Sequence, residues 1–391
     1  MEPGPSSRQR ILDFLLVQEE AVSRPEVAAA CDLSRPTVFS AIQHLEQAGL
    51  VHETGQRSGS PGRSATLFEV APTAGTVLAL DIGGSNLRVA VADVRGRLRA
   101  ELREPTARPG GPAITAQASA LARRALAAAG SSSALTAVTV SVPGVVGADG
   151  STVHFASNID QPDPFDFRTP IAEALGTPVV LENNVNLAAL GERWRGVGRE
   201  LGTFVIVAVG AGIGAGLVHE GRLLRGAHGA SGEVAFLPSL GSDRPLDLRA
   251  HDAAGGLNLL TTAQRHPGWA RTPPSTVEEL FRRASDGEEP AAGLVEEECA
   301  RVAAVIASLC AVVDPEAVIL TGGVGANERL MQRSSELAAS MTLYPPVVIR
   351  SELGDRASVV GGIYLATRNA RDAVLRTLDE PPWARSSTDV S

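Results

Sequence analysis

Three glycine-rich turns carry the residue types that can cradle a phosphate. In Asp81-Ile82-Gly83-Gly84-Ser85-Asn86 an acid at a strand end precedes a turn with exposed backbone N–H groups, placed to hold a metal or a water. Gly210, Gly212, Gly214 and Gly216 form a second such loop, and Gly322, Gly323 and Gly325 a third. One glycine turn says little, because tight turns need glycine for their own geometry. Three, each closing an expected strand, are a stronger signal, although glycine turns also persist for the fold alone.

A second group of side chains suits nucleic acid. Ser34, Arg35, Thr37, Ser40, Gln43 and His44 fall on the faces of an expected helix that its apolar stripe, Val38, Ile42 and Leu45, does not use. Short polar side chains of this kind meet phosphates and base edges. Arg57 and Arg63 lie in the Gly/Ser-rich run TGQRSGSPGRSA, where an arginine can lie flat in a narrow minor groove. Arg24 stands at the start of the preceding helix.

The elements that must position these groups follow from periodicity and caps. Ile11, Leu12, Leu15 and Leu16 mark a first helix, Pro25–Ala30 a second, and Ser34 caps a third that Gly49 ends. A hairpin runs from Leu50-Val51 to Thr66–Val70, and residues 71–75 are a linker. That order is a winged helix-turn-helix over residues 1–72, its third helix entering the major groove. From Val77 the pattern becomes strand, glycine turn, strand, turn, strand, followed by a helix over 112–129, a buried strand in ALTAVTVSVPGVV, and helix, strand, polar loop, helix in PIAEALGTPVVLENNVNLAALGE. The opening pattern returns in TFVIVAVGAGIGAGLVHEGRLLRG, and Gly96-Arg97-Leu98 is echoed by Gly221-Arg222-Leu223. A repeat of about 125 residues predicts two similarly built lobes, over 76–200 and 201–377. Residues 275–313 are expected to be helical, VVGGIYLATRNA to open the last helix, and 378–391 to be a disordered tail.

Composition narrows the function. The 391 residues are 44% hydrophobic and 20% charged, enough for two or three domains with cores of their own. No apolar stretch suits a membrane span or a signal peptide, so a cytoplasmic protein is expected. Cys31, Cys299 and Cys310 form no CxxC pair, which excludes a thiolate zinc knuckle. All 35 basic residues are arginine, a mark of GC-rich coding before it is chemistry. The net charge is −9, and residues 1–70 hold 6 Arg against 9 acids, so any DNA contact comes from a local surface and needs a two-fold unit.

DIGGSN, SVPGVV, SNID, VLENNVNLAALGE, GAGIGAGLVHEGRLLRGAHGASGE and DPEAVILTGGV stand in the order of the segments of the ROK family of repressors and sugar kinases. The chain resembles that family over residues 75 to 375, and its winged unit is similar to that of the family's xylose- and N-acetylglucosamine-repressor-like regulators. The resemblance implies an α/β fold in which the winged helix-turn-helix precedes a two-lobed actin/hexokinase-like (ribonuclease H-like) domain, with a sugar in the cleft. It also implies sugar-hydroxyl roles for Asn158, Asn183 and Glu233, joined by Asn184 and, on a looser alignment, Asp247. Turn-capping is the alternative for Asn183 and Asn184, and an ion pair with Arg225 or Arg249 for Glu233.

Two departures bear on chemistry. The family's kinases place the acid that deprotonates the sugar hydroxyl at position 184, and a carboxamide there cannot take up a proton. Glu182 and Asp160 are poor substitutes. The family's zinc-binding histidine corresponds to Phe236, and LPSLGSDRPLDLRAH after it has no cysteine. The expectation is therefore a DNA-binding transcriptional regulator, a repressor, with no catalytic residue, no zinc and no bound ATP. Its partners would be a double-stranded DNA operator and a sugar or sugar derivative, as a homodimer or dimer of dimers away from membranes. The alternatives are an active sugar kinase with an appended DNA-binding unit and a regulator that needs no effector. His228 and His251 are expected to be structural.

Overall fold

Local caps set the N-terminal helices. In the computed structural model, which describes residues 6–18, 20–58, 64–107, 110–130, 133–147, 149–155, 163–237 and 254–377, Ser6 and Gln9 exchange side chain-to-backbone bonds at the start of α1 (Ser7–Val17). After β1 (Val22–Ser23), Ser23 and Glu26 do the same for α2 (Arg24–Cys31), and the Ser34 hydroxyl accepts from the Thr37 N–H to open α3 (Arg35–Gln47). Gly49, in the left-handed region, turns the chain into β2 (Val51–Ser58), which pairs antiparallel with β3 (Ser64–Val70); β1 adds on the other side of β3. The three helices and the hairpin of the winged unit are as expected; β1 is an addition.

The first lobe contains β4 (Thr76–Ile82), β5 (Asn86–Asp93), β6 (Leu98–Pro105), α4 (Pro112–Ala129), β7 (Leu135–Val142), the short strands β8 (Val145–Val146), β9 (Thr152–His154) and β10 (Phe165–Asp166), then α5 (Arg168–Leu175), β11 (Val179–Asn183) and α6 (Asn184–Arg195). Its main sheet has the order β11-β7-β4-β5-β6. The second contains β12 (Phe204–Val209), β13 (Ile213–His219), β14 (Arg222–Leu223), α7 (Gly256–Arg265), α8 (Val277–Ser285), α9 (Glu289–Val313), β15 (Ala317–Thr321), α10 (Glu328–Met341), β16 (Val348–Arg350) and α11 (Ala357–Thr377). Its sheet has the order β16-β15-β12-β13-β14, the same topology element for element. In both sheets the second strand is antiparallel to the first and the third to the second, and the two outer strands are parallel, so the sequence repeat is a structural one.

Two local expectations are corrected. No polar loop separates β11 from α6, because Asn183 ends the strand and caps the helix at once. The helical stretch 275–313 is two helices, parted at Asp286 to Glu288 where Gly287 turns left-handed. Helices α7 and α10 and the β8–β10 sheet were not anticipated.

The last helices of the two repeats cross. α6 packs on β12 and β13 of the second sheet, whereas α11 returns to cover β4, β5 and β7 of the first. They touch backbone to backbone: a Cβ on Gly361 would stand 1.8 Å from the Leu187 carbonyl oxygen, and one on Gly191 would stand 2.3 Å from that of Ala357. Glu192, wholly buried, accepts hydrogen bonds from Ser351 Oγ, Leu353 N–H and Val197 N–H, and so holds the end of α6 to the segment leading into α11.

α11 also reaches the winged unit. Ile363, Ala366, Ala370 and Val374 share one apolar cluster with Ile11, Leu12, Leu15, Val27, Ile42 and Phe68, together with Val77, Ala79, Ala90 and Ala92 of the first sheet. Arg371 pairs with Asp13 of α1. The β5–β6 turn adds a second tie, where Arg95 and Arg97 bind Glu69 of β3 and Arg95 also donates to the Gln18 carbonyl.

Candidate functional site

The helical surface comes first. Val38, Ala41, Ile42 and Leu45 bury one side of α3, which leaves Ser34, Arg35, Ser40, Gln43 and His44 exposed and Thr37 half-buried. Some of these groups have local work. The hydroxyls of Ser34 and Thr37 bond each other at 2.7 Å, and His44 Nδ1 lies 2.7 Å from the Ser40 carbonyl oxygen. Arg35 has no ion pair or hydrogen bond among the described residues. The other arginines differ. Arg24 lies over two rings, its guanidinium 4.9 Å from the Phe39 centroid and 4.3 Å from that of Phe68. Arg57 binds Glu26 at 2.8 Å and the Ala21 carbonyl at 3.3 Å. Hydrogen bonds from the Ser23 backbone and hydroxyl, then from Arg57, hold the Glu26 carboxyl down to about 2, so it stays a partner for Arg57 at neutral pH. Arg63 lies outside the described residues.

The cleft is framed by contacts between the lobes. Arg225 Nε donates to Glu182 Oε2 at 2.6 Å and ties the loop after β14 to the end of β11. Phe236 meets Phe155 edge-to-face at 5.9 Å, and a Cβ on Gly229 would stand 2.9 Å from the Val146 carbonyl oxygen. The second-lobe loop that carries Glu233 is thereby held against the first-lobe segments that flank Asn183 and Asn184.

Asn183 is largely occupied by structure. Its Oδ1 accepts from the Val185 and Asn186 N–H groups at 2.8 and 3.1 Å, and its Nδ2 donates to the Gly144 carbonyl at 2.9 Å, leaving one amide proton. Glu182 is equally tied, by Arg225, by the Asn183 N–H and by Asn186 Nδ2. Asn184 and Glu233 differ: both are half-buried and neither side chain has a hydrogen-bond partner among the described residues. Burial alone pushes the Glu233 carboxyl above its ordinary range, and Arg225, a candidate partner for it in the sequence, binds Glu182 instead. Asn158, Asp160, Asp247, Arg249 and His251 lie outside the described residues.

The glycine turns sit at strand ends, but Gly214 and Gly216, expected in the second loop, lie inside β13 and pair with Ala208 and Ile206 of β12. Asp81 is the penultimate residue of β4, and its Oδ1 accepts from Ser141 Oγ at 2.6 Å and Ser358 Oγ at 2.9 Å. Burial raises its carboxyl above the usual aspartate range against the pull of those hydroxyls. Each loop is partly closed on itself. Gly83 N–H donates to the Asn86 carbonyl beside Gly84 and Ser85, and Gly210 N–H donates to the Gly212 carbonyl ahead of Gly214. Val324 and Gly325, after the left-handed Gly322, both donate to the Val209 carbonyl. At Gly212 and Gly323 an added Cβ would meet nothing within 4 Å, so the surrounding chain does not itself demand glycine there.

Comparison with known proteins agrees with this architecture. The ROK family model matches residues 77–239 and 253–369, most of the chain. The chain belongs to the ROK family. A MarR family model matches residues 7–64, the winged unit. The xylose repressor of Caldicellulosiruptor bescii is 23% identical over 372 residues, covering 89% of this chain and 92% of its own. The glucokinase of Halalkalibacterium halodurans is 26% identical over 309 residues, 73% of this chain and 93% of its own. A solved ROK family transcriptional regulator, a homolog of the E. coli MLC protein, superposes with a TM-score of 0.75 at 19% identity, over 95% of this chain and 97% of that one, and has the same fold. With a MarR-type winged helix ahead of its actin/hexokinase-like ROK domain, this is a DNA-binding regulator of the family.

The ROK resemblance also implies a zinc ion, and the described residues do not supply its ligands. Phe236 has no ligating atom and its ring packs on Phe155, and no group of three or more His, Cys, Asp or Glu among the described residues could hold a metal. No helix among the described residues is long and apolar enough to cross a membrane. Two features escaped the sequence reading. Phe39 is 53% exposed on α3, and its signal was available, since it lies off the buried stripe. The Glu69–Arg95–Arg97 cluster joins residues 26 and 28 apart in sequence and left no local mark.

Proposed function

We propose that this chain binds operator DNA as a two-fold pair of winged helices, and that a sugar or sugar derivative in the cleft sets its operator affinity without being phosphorylated. The observation that carries this reading is a winged helix fused by a common core to a ROK domain whose general-base position is Asn184. Asn184 and Glu233 supply polar groups with open valence for hydroxyls, and a carboxylate is the stronger acceptor once ionised. Asn184 is the first residue of α6, and α6 lies against α11, which lies against the winged unit. An effector that favours one disposition of the lobes shifts α6 on α11 and with it the spacing of the two recognition helices. The mechanism needs neither nucleotide nor metal.

The test is recovery of bound fragments from genomic DNA by the purified chain, at one fixed near-physiological salt, with and without a sugar pool. Discrete palindromic sites are expected, and their loss in the presence of sugars. Sites that persist would support a regulator without an effector, and recovery of none would overturn DNA control altogether. The kinase alternative has its own assay. With Mg-ATP and a panel of hexoses, pentoses and N-acetylhexosamines, the chain is expected to release no sugar phosphate. Loss of a general base costs about 10²–10⁴-fold. Turnover near the roughly 1–100 s⁻¹ of working kinases would reverse the reading.

A further inference from the structure

Phe39 has no role in the core of the winged unit, which α3 supplies through Val38, Ala41, Ile42 and Leu45. It is a large apolar ring, 53% exposed, on the helix expected to enter the major groove. The ring is nevertheless held. The Arg24 guanidinium lies over it and over the ring of the fully buried Phe68. Arg24 Nε is buried without a hydrogen-bond partner among the described residues, so at that atom the two rings are its neighbours in place of an acceptor. Bracing an exposed ring from behind presents its outer face as a fixed surface.

The neighbours give that surface a context. Arg35, Phe39 and Gln43 recur at intervals of four, form one line along α3, and are all exposed. In the major groove only thymine displays a methyl group, and a phenyl ring is a natural contact for it. A glutamine one turn on suits the N6 and N7 of adenine, and an arginine one turn back suits a phosphate or a guanine. An A·T pair shows the methyl and the adenine edge side by side.

We propose that Phe39 is a specificity-determining residue that packs against the 5-methyl group of a thymine in each operator half-site, braced there by Arg24. The inference rests on the DNA-binding reading and names what that surface reads.

The experiment first selects binding sites for the full chain from a random duplex pool at fixed salt. Each thymine of the selected site is then replaced in turn by deoxyuridine, which removes only the methyl. At one thymine per half-site the wild-type chain is expected to lose about three- to ten-fold in affinity, the scale of one buried methyl. Phe39→Ala should bind the same duplexes with that penalty abolished and the thymine preference relaxed. Phe39→Leu, which keeps an apolar side chain and guards against a folding defect in the alanine variant, should retain part of it. A wild-type chain insensitive to every methyl overturns the proposal, as does a penalty that survives in Phe39→Ala. A change of oligomeric state with no change of base preference would make the ring a protein contact and also overturn it. If the wild-type chain selects no motif, the DNA-binding reading falls and takes this inference with it; a motif indifferent to methyl removal sinks this inference alone.

Discussion

Gly361→Ala is expected to destabilise the chain by about 3 kcal/mol, at the upper end of what overpacking costs, and to lower Tm by roughly 4 °C. The new Cβ would stand 1.8 Å from the Leu187 carbonyl oxygen, 2.7 Å from its carbon and 2.9 Å from the Gly191 nitrogen. All three are backbone atoms of α6, so no rotamer change gives relief, and the two helices must separate. Gly293→Ala is the control. It lies exposed in α9 with nothing within 4 Å of the added Cβ, so alanine there should stabilise by about 0.5–1 kcal/mol through helix propensity alone. Calorimetry on the two variants reads the difference directly. If Gly361→Ala melted with the wild type, α6 and α11 would have slack between them, and the route from Asn184 to the winged unit would lose its stiffness.

Much of this fold was legible because its signals are local. Ser34 caps α3, Gly49 ends it, and the 112–129 helix falls where the apolar period placed it. The duplicated strand-turn-strand pattern disclosed two lobes before any contact was known. Elements that depend on distant partners left weaker marks. β16 has only three residues and forms by pairing parallel with β15, and β8–β10 form a small sheet of two- and three-residue strands. The exchange of α6 and α11 between the sheets is carried by Gly191 and Gly361, whose purpose appears only where the two helices meet.

The site was legible to the extent that side-chain type sets its role. A carboxamide at position 184 bears on proton transfer whatever surrounds it. Charge alone did not disclose the intramolecular partners of Arg24 and Arg57, because Phe39 and Phe68 for one and Glu26 for the other come from elements joined only by folding. For the same reason Arg225 could not be assigned to Glu182 rather than Glu233 from the sequence. Asn183 was readable both as a hydroxyl ligand and as a cap; two of its three hydrogen bonds cap α6 and the third ties it to the Gly144 carbonyl.

Glu69→Ala should loosen the winged unit from the ROK domain, at a cost of about 3–5 kcal/mol, the usual effect of removing one partner from a buried ion pair. Glu69 is 11% exposed and Arg95 only 4%, so the pair is little screened by solvent. Arg95 also donates to the Gln18 carbonyl, and Gly96 of the same turn packs on Trp194 of α6 and Ile363 of α11. The turn thus joins both crossing helices to β3. A single calorimetric transition in the wild type should become two in Glu69→Ala, the earlier one belonging to residues 6–70. The pH dependence has a definite sign. Burial opposes ionisation of Glu69, but hydrogen bonds from Arg97 and Arg95 and their charges outweigh it and hold its carboxyl below the ordinary glutamate range. An acid with a lowered folded pKa stabilises fully above its unfolded value of about 4.3, and loses that contribution as pH falls through the folded value. The winged unit of the wild type should therefore undock as pH drops below about 4.3, whereas Glu69→Gln, which cannot titrate, should begin weaker and lack that component of the fall. Unchanged melting in Glu69→Ala, or identical acid profiles for wild type and Glu69→Gln, would show that the apolar cluster around α11 holds the two units together without the ion pair.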